Sequence, residues 1–347
     1  MKEKGISMSL FRRTFSSNIG QLMLEIILIA VPLLVLVKLL NLLPAAFQQS
    51  ITGDLVLNIL VAAVIVVVFT LEMRKLEHRS LAAVGWGRQQ WLRQTLLGFT
   101  VGGALLSVII LVLAITGSYH ITGADPFSIV ELVCLAVALS LLTLLFARSP
   151  KIGLLHYVLC ALLLASFIST FVTLLILIGG AIQEEVIFRA LLFRRLERSF
   201  GTWIALAVSA TLFGLIHLSN PNGSLVSALA IAAAGGLLIT GIYILTRSLW
   251  WAIGVHLGWN YFEGPVFGTQ VSGHNLSGLL SSTLSGPAAW SGGSFGPEAG
   301  LPCIIIIAAF GAYLCYRASR QNLIFPRKQS PSIPRDTQLE SADALFQ

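Results

Sequence analysis

The chain has 347 residues, of which 56% are hydrophobic and only 11% charged, with a mean hydropathy of +0.86. A water-soluble domain carries about a quarter charged residues, so this composition excludes a soluble globular protein. The net charge of +7 does not imply nucleic acid, and no nucleic-acid partner is expected, because the basic residues lie in the gaps between apolar runs.

Residues 1–19 form a basic N-terminal segment. Apolar runs then predict ten membrane helices, at about 20–43, 54–72, 95–117, 127–147, 153–176, 179–197, 202–219, 224–246, 249–262 and 301–316. The first run is too long for the core of a signal peptide and is read as a retained helix. The fifth and sixth would together be about twice a bilayer thickness as one straight helix, so a break is expected at Gly179-Gly180. A merged or re-entrant pair would lower the count to eight. The stretch 74–94, with several Arg residues beside Trp86 and Trp91, suits the membrane interface. Residues 263–300 are Gly/Ser-rich without Lys or Arg, a composition that reads as flexible and as able to cover or shape a cavity. Residues 317–347 read as a disordered tail. The expected fold is all-α, a polytopic bundle of about 8–10 membrane helices with the active site inside it. Its organisation is N-terminal helices over 20–176, a catalytic core over 177–262, the 263–300 loop and a last helix at 301–316.

Charge orients the helices. Lys2, Lys4, Arg12 and Arg13 precede the first helix, and Arg74, Lys75, Arg79, Arg88 and Arg93 follow the second. Arg148 and Lys151, Arg194, Arg195 and Arg198, Arg247, and the tail's Arg317, Arg320, Arg327, Lys328 and Arg335 continue the alternation. The opposite connections, 263–300 among them, hold no Lys or Arg. A multi-pass protein of the cell membrane with both termini cytoplasmic is therefore expected. Cys134, Cys160, Cys303 and Cys315 fall within apolar runs and read as small hydrophobes.

Ionisable groups at membrane depth are costly and mark function. Glu25 and Glu131, near helix ends, are expected to reach water. Glu184 and Glu185 lie deeper. Glu185 and Arg189 are four apart and share a helix face, so they can pair. Glu184 is turned about 100° away and needs another partner. His217 in "TLFGLIHLSN" and His256 in "WWAIGVHLGWNYF" lie within apolar helices at a similar depth. Asn260 repeats the face of His256, and Phe213 that of His217. Gly254 and Gly258 form a G-x-x-x-G step that permits close packing around His256.

This set suits hydrolysis. A carboxylate beside an imidazole can deprotonate water, while a second imidazole and a carboxamide can donate to an oxyanion. Alternatively, Glu184, His217 and His256 are a Zn²⁺ ligand set with an open position. A non-catalytic scaffold or bacteriocin-immunity protein, and a proton-coupled transporter, are the competing classes. The transporter lacks the internal repeat expected of it.

"EEVIFR" at 184–189 resembles the E-E-x-x-x-R motif of the CPBP family, the CAAX proteases and bacteriocin-processing enzymes. "FGLIH" at 213–217 and "HLGWN" at 256–260 resemble its F-x-x-x-H and H-x-x-x-N motifs. The resemblance implies an intramembrane endopeptidase acting on a membrane-associated peptide or protein, lipidated or not, at the bilayer. It implies Glu184 as general base assisted by His217, His256 and Asn260 as oxyanion donors, and Glu185, Arg189 and Phe213 as supports. No cofactor is favoured, with zinc on Glu184, His217 and His256 as the alternative. Many members have Gly after the motif's Arg, where this chain has Ala190.

Overall fold

The computed structural model describes residues 18–48, 50–124, 171–276 and 278–326. Expected helices 127–147 and most of 153–176, with Glu131, Cys134, Cys160 and the expected tail beyond 326, lie outside the described residues. The tail expected from 317 begins later, since the last helix continues to Arg320 and Phe325 N donates to Thr202 Oγ1. The protein is an all-α polytopic bundle. Seven described helices are long and apolar enough to cross a membrane.

The helices are α1 (Asn18–Leu40), α2 (Ile51–Lys75), α3 (Trp91–Ile115) and α4 (Phe171–Phe200), followed by α5 (Thr202–Ile216) and α6 (Leu225–Thr246). The shorter α7 (Leu249–Tyr261) and then α8 (Leu301–Arg320) complete the set. Side-chain caps set the starts of α2 and α6. The hydroxyl of Ser50 accepts from Gly53 N, and Ser224 and Ser227 form a reciprocal capping box.

Helix α4 runs unbroken through Gly179-Gly180, contrary to the expected break. A built Cβ on Gly180 would meet nothing within 4 Å, and one on Gly179 would make ordinary contact with Asn58. Nothing there forces the helix apart, and glycine permits a kink without imposing one. The irregularity comes a turn later, as a π-helical wide turn at Val186–Phe193. A second wide turn, Ala232–Ile239, lies in α6.

The site helix α7 is seated by glycine. Side chains added at Gly254 and Gly258 would collide with the carbonyls of Thr95 and Phe99 on α3. Gly98 and Gly102 of α3 return the contact against the backbone of Trp251 and Val255, so small residues from both helices meet at the crossing. Gly258→Ala is expected to cost about 1–3 kcal/mol by overpacking and to displace His256. Gly87→Ala, with only ordinary contacts around it, should leave the melting temperature unchanged, and equal effects of the two would refute the tight crossing.

Glu25 does not reach water, as its place near a helix end suggested. It is 1% exposed and takes two hydrogen bonds from Arg195, one of them from Nε at 3.2 Å. Glu77 accepts from both terminal nitrogens of Arg194, at 2.7 and 2.5 Å, and lies 2.9 Å from Arg195 and 3.1 Å from Arg198. Burial alone would raise the Glu77 carboxyl, but the Arg194 hydrogen bonds and the three arginine charges outweigh it and hold it at about 2. Stretch 74–94 is likewise docked. Trp250 donates to Gly87 O at 2.7 Å and its ring meets those of Trp86 and Trp91.

The Gly/Ser-rich stretch that composition reads as flexible has defined structure. Strand β1 (Tyr119–Ala124) pairs antiparallel with β2 (Leu280–Leu284), the one sheet among the described residues. Asn220 Nδ2 donates to Ser272 O at 3.0 Å, and Asn222 Nδ2 to Ser294 O at 3.2 Å. The stretch is thus strapped over the α5–α6 turn.

Candidate active site

Glu185 and Arg189 form the expected pair, 2.9 Å apart and 0% and 1% exposed. Arg189 also donates to the carbonyl of Gly235, in the wide turn of α6, and its guanidinium lies 4.7 Å from the Phe213 ring centroid. A wide turn loosens the i→i+4 ladder, which lets the Gly235 carbonyl take an outside donor. A Cβ on Gly235 would collide with Phe213, so glycine is required there. Phe213 also packs edge-on against Phe188 at 4.9 Å.

Glu185 has a second task that spacing did not reveal. Its Oε1 accepts from His256 Nδ1 at 2.8 Å. His217 Nδ1 donates to Phe213 O at 2.7 Å. Because a carbonyl can only accept, and Glu185 faces Arg189, both histidines carry a proton on Nδ1 and direct Nε2 elsewhere. Both Nε2 atoms converge on Glu184, His217 at 4.0 Å and His256 at 3.8 Å from Oε2. The Glu184 side chain is 31% exposed, yet its Oε2 is buried and accepts no hydrogen bond among the described residues. Three atoms that accept hydrogen bonds when the imidazoles are neutral therefore surround one spot. The gaps are too wide for direct hydrogen bonds and suit a small hydrogen-bond donor such as water.

Asn260, one turn after His256, lines the same pocket with His217, Phe213 and Trp259. Two further wall residues, Ser272 and Glu298, come from the strap, which sequence reasoning did not include in the site. Trp259 Nε1 donates to Glu298 Oε1 at 2.9 Å, and Ser272 N and Oγ to Oε2 at 2.9 and 2.7 Å. Glu298 is one of only two acidic residues in 263–300, the one signal that could have marked it. The pocket offers about 30 Å³, room for a water or two and too little for a peptide side chain.

The zinc alternative can be tested on these positions. Ligands about 2.0–2.2 Å from one tetrahedral zinc lie roughly 3.3–3.6 Å apart, closer than the 3.8 and 4.0 Å found. No group of three His, Cys, Asp or Glu among the described residues is arranged to hold a metal ion.

Residues 165–262 match the family model described as type II CAAX prenyl endopeptidase Rce1-like. No curated protein and no solved structure matches the chain. The matched span contains the paired glutamates, Arg189, Phe213, both histidines and Asn260. Over this core, about a quarter of the chain, the protein is similar to the type II CAAX prenyl endopeptidases.

Proposed function

We propose that this chain is an intramembrane endopeptidase that hydrolyses a peptide bond of a membrane-associated protein, using Glu184-activated water. The observation that carries this reading is the convergence of both histidine Nε2 atoms on the one Glu184 oxygen. Water held there gives a proton to Glu184, with His217 accepting its second hydrogen bond, and its oxygen attacks the scissile carbonyl carbon. The resulting oxyanion takes hydrogen bonds from Asn260 Nδ2 and from His256. With Nδ1–H committed to Glu185, His256 donates from Nε2 only as imidazolium. Collapse breaks the C–N bond, and Glu184 returns its proton to the leaving amine.

Hydrolysis without metal is part of this proposal. Asn260→Ala is expected to lower turnover by about 10²–10³ with substrate affinity largely kept, the loss that follows removal of one oxyanion donor. Carboxamides are poor zinc ligands but good donors. The accompanying measurement is the metal content of the purified active chain. One zinc per chain, with activity lost on chelation and restored by zinc, would replace this mechanism with the metal one.

We further infer that both termini are cytoplasmic and the strap is not. Thr283, exposed on β2, is the place to test it. Thr283→Cys should react with a membrane-impermeant thiol reagent in intact cells, above the background of the four native cysteines. Labelling only after permeabilisation would invert the topology.

A further inference from the structure

Helices α6 and α7, which wall the site pocket, also line a second cavity with α3 and α8, of about 200 Å³. Its floor is apolar and buried, made of Ile242 and Leu245 of α6, Trp251 of α7 and Leu314 of α8. Its rim includes Phe310 and Tyr313, and Tyr313 is 48% exposed on the flank of α8. That helix is long and apolar enough to cross a membrane, so the cavity opens sideways onto a surface that faces acyl chains.

One end of the cavity carries Arg317, in the last turn of α8. Arg317 gives one N–H to Tyr313 Oη at 2.8 Å. Arg194, Arg195, Arg198 and Arg247 each face a carboxylate, whereas no ion pair joins Arg317 to a carboxylate among the described residues. A guanidinium has five N–H donors in a planar fork that matches phosphate oxygens. A ligand for this place must therefore be apolar along its length and anionic at one end. A neutral apolar chain would leave the guanidinium unused, and free phosphate would leave the floor unfilled.

We propose that this cavity binds an anionic phospholipid, with an acyl chain over Ile242, Leu245 and Trp251 and its phosphate on Arg317. Leu238 and Ile239 of the site pocket lie one turn from Ile242 on α6, and Val255 of that pocket one turn from Trp251 on α7. A lipid there would bear on the two helices that carry Gly235 and His256.

The test is independent of peptidase activity. The purified full chain in mild detergent is given equal concentrations of dioleoyl phosphatidylglycerol or dioleoyl phosphatidylcholine, and retained lipid is counted by native mass spectrometry. A basic residue near a lipid surface favours anionic lipid by about fivefold, so the wild type should retain phosphatidylglycerol by about that ratio. Arg317→Gln should bring the ratio near one, and Arg317→Lys should keep most of it. Val101→Phe, which adds bulk to the cavity wall, should lower retention of both lipids at an unchanged melting temperature. Inorganic phosphate should not compete. Equal retention by the wild type, a ratio that survives Arg317→Gln, retention unaffected by Val101→Phe, or competition by phosphate would each overturn the assignment. So would displacement of phosphatidylglycerol by farnesol equally in wild type and Arg317→Gln, which would make this a site for neutral isoprenoid chains.

Discussion

Glu184→Gln is expected to remove peptide hydrolysis while leaving the protein as stable as the wild type. The amide cannot take a proton from water, and loss of a positioned general base costs about 10²–10⁴ in rate. The replaced oxygen, Oε2, makes no hydrogen bond among the described residues, and the side chain is about a third exposed (31%). The melting temperature should therefore move by no more than a surface substitution allows, within about 0.5 kcal/mol. The measurement is cleavage of a membrane-anchored peptide in proteoliposomes, beside a thermal melt of the same preparation. Turnover at the wild-type rate would take Glu184 out of the reaction and, with it, the proposed mechanism.

Glu185→Gln, one residue along, is expected to fail differently. Arg189 would stay buried without its carboxylate, and breaking such a pair costs about 3–5 kcal/mol. For a chain of this size that is a fall in melting temperature on the order of 10 °C. Activity should fall too, because the carboxylate that orients His256 through Nδ1 is gone. Adding Arg189→Met removes the stranded charge and should restore part of the stability, a coupling expected between contacting residues. It should restore no activity, since His256 remains unheld. Identical melts for Glu184→Gln and Glu185→Gln would refute this division of labour.

Local spacing made part of this arrangement legible. The Glu185–Arg189 pair follows from a separation of four, the outward turn of Glu184 from 100° per residue, and the seating of α7 from Gly254 and Gly258. What spacing could not reveal are partners distant in sequence. Glu25 near a helix end suggested contact with water, yet its partner Arg195 is 170 residues away, and nothing in either neighbourhood announces the other. His256 and Glu185 are 71 residues apart, so the second task of Glu185 was equally hidden. Glu298 and Ser272 lie in a stretch whose Gly and Ser content signals mobility, but the donors that fix it, Asn220 and Trp259, belong to other elements. The unbroken course of α4 was missed for a related reason: a Gly-Gly pair lowers the cost of a bend, and whether the helix bends depends on its neighbours.

The wide turn in α4 also sets a phase along the chain. It lies between Glu184 and Glu185 on one side and Arg194, Arg195 and Arg198 on the other. Each residue of an α-helix adds about 100° of rotation, so the extra residue of the turn decides which way the arginines face once the glutamates are fixed. One helix is thereby clocked to two separate fittings, the pocket at one level and the carboxylates of Glu25 and Glu77 at another. A single deletion within Ala190–Phe193 can be absorbed by closing the wide turn to a regular α turn, which keeps both fittings in phase. A single deletion ahead of Arg198 in the regular helix Arg194–Phe200 has no such slack, and would swing Arg198 by about 100° away from Glu77.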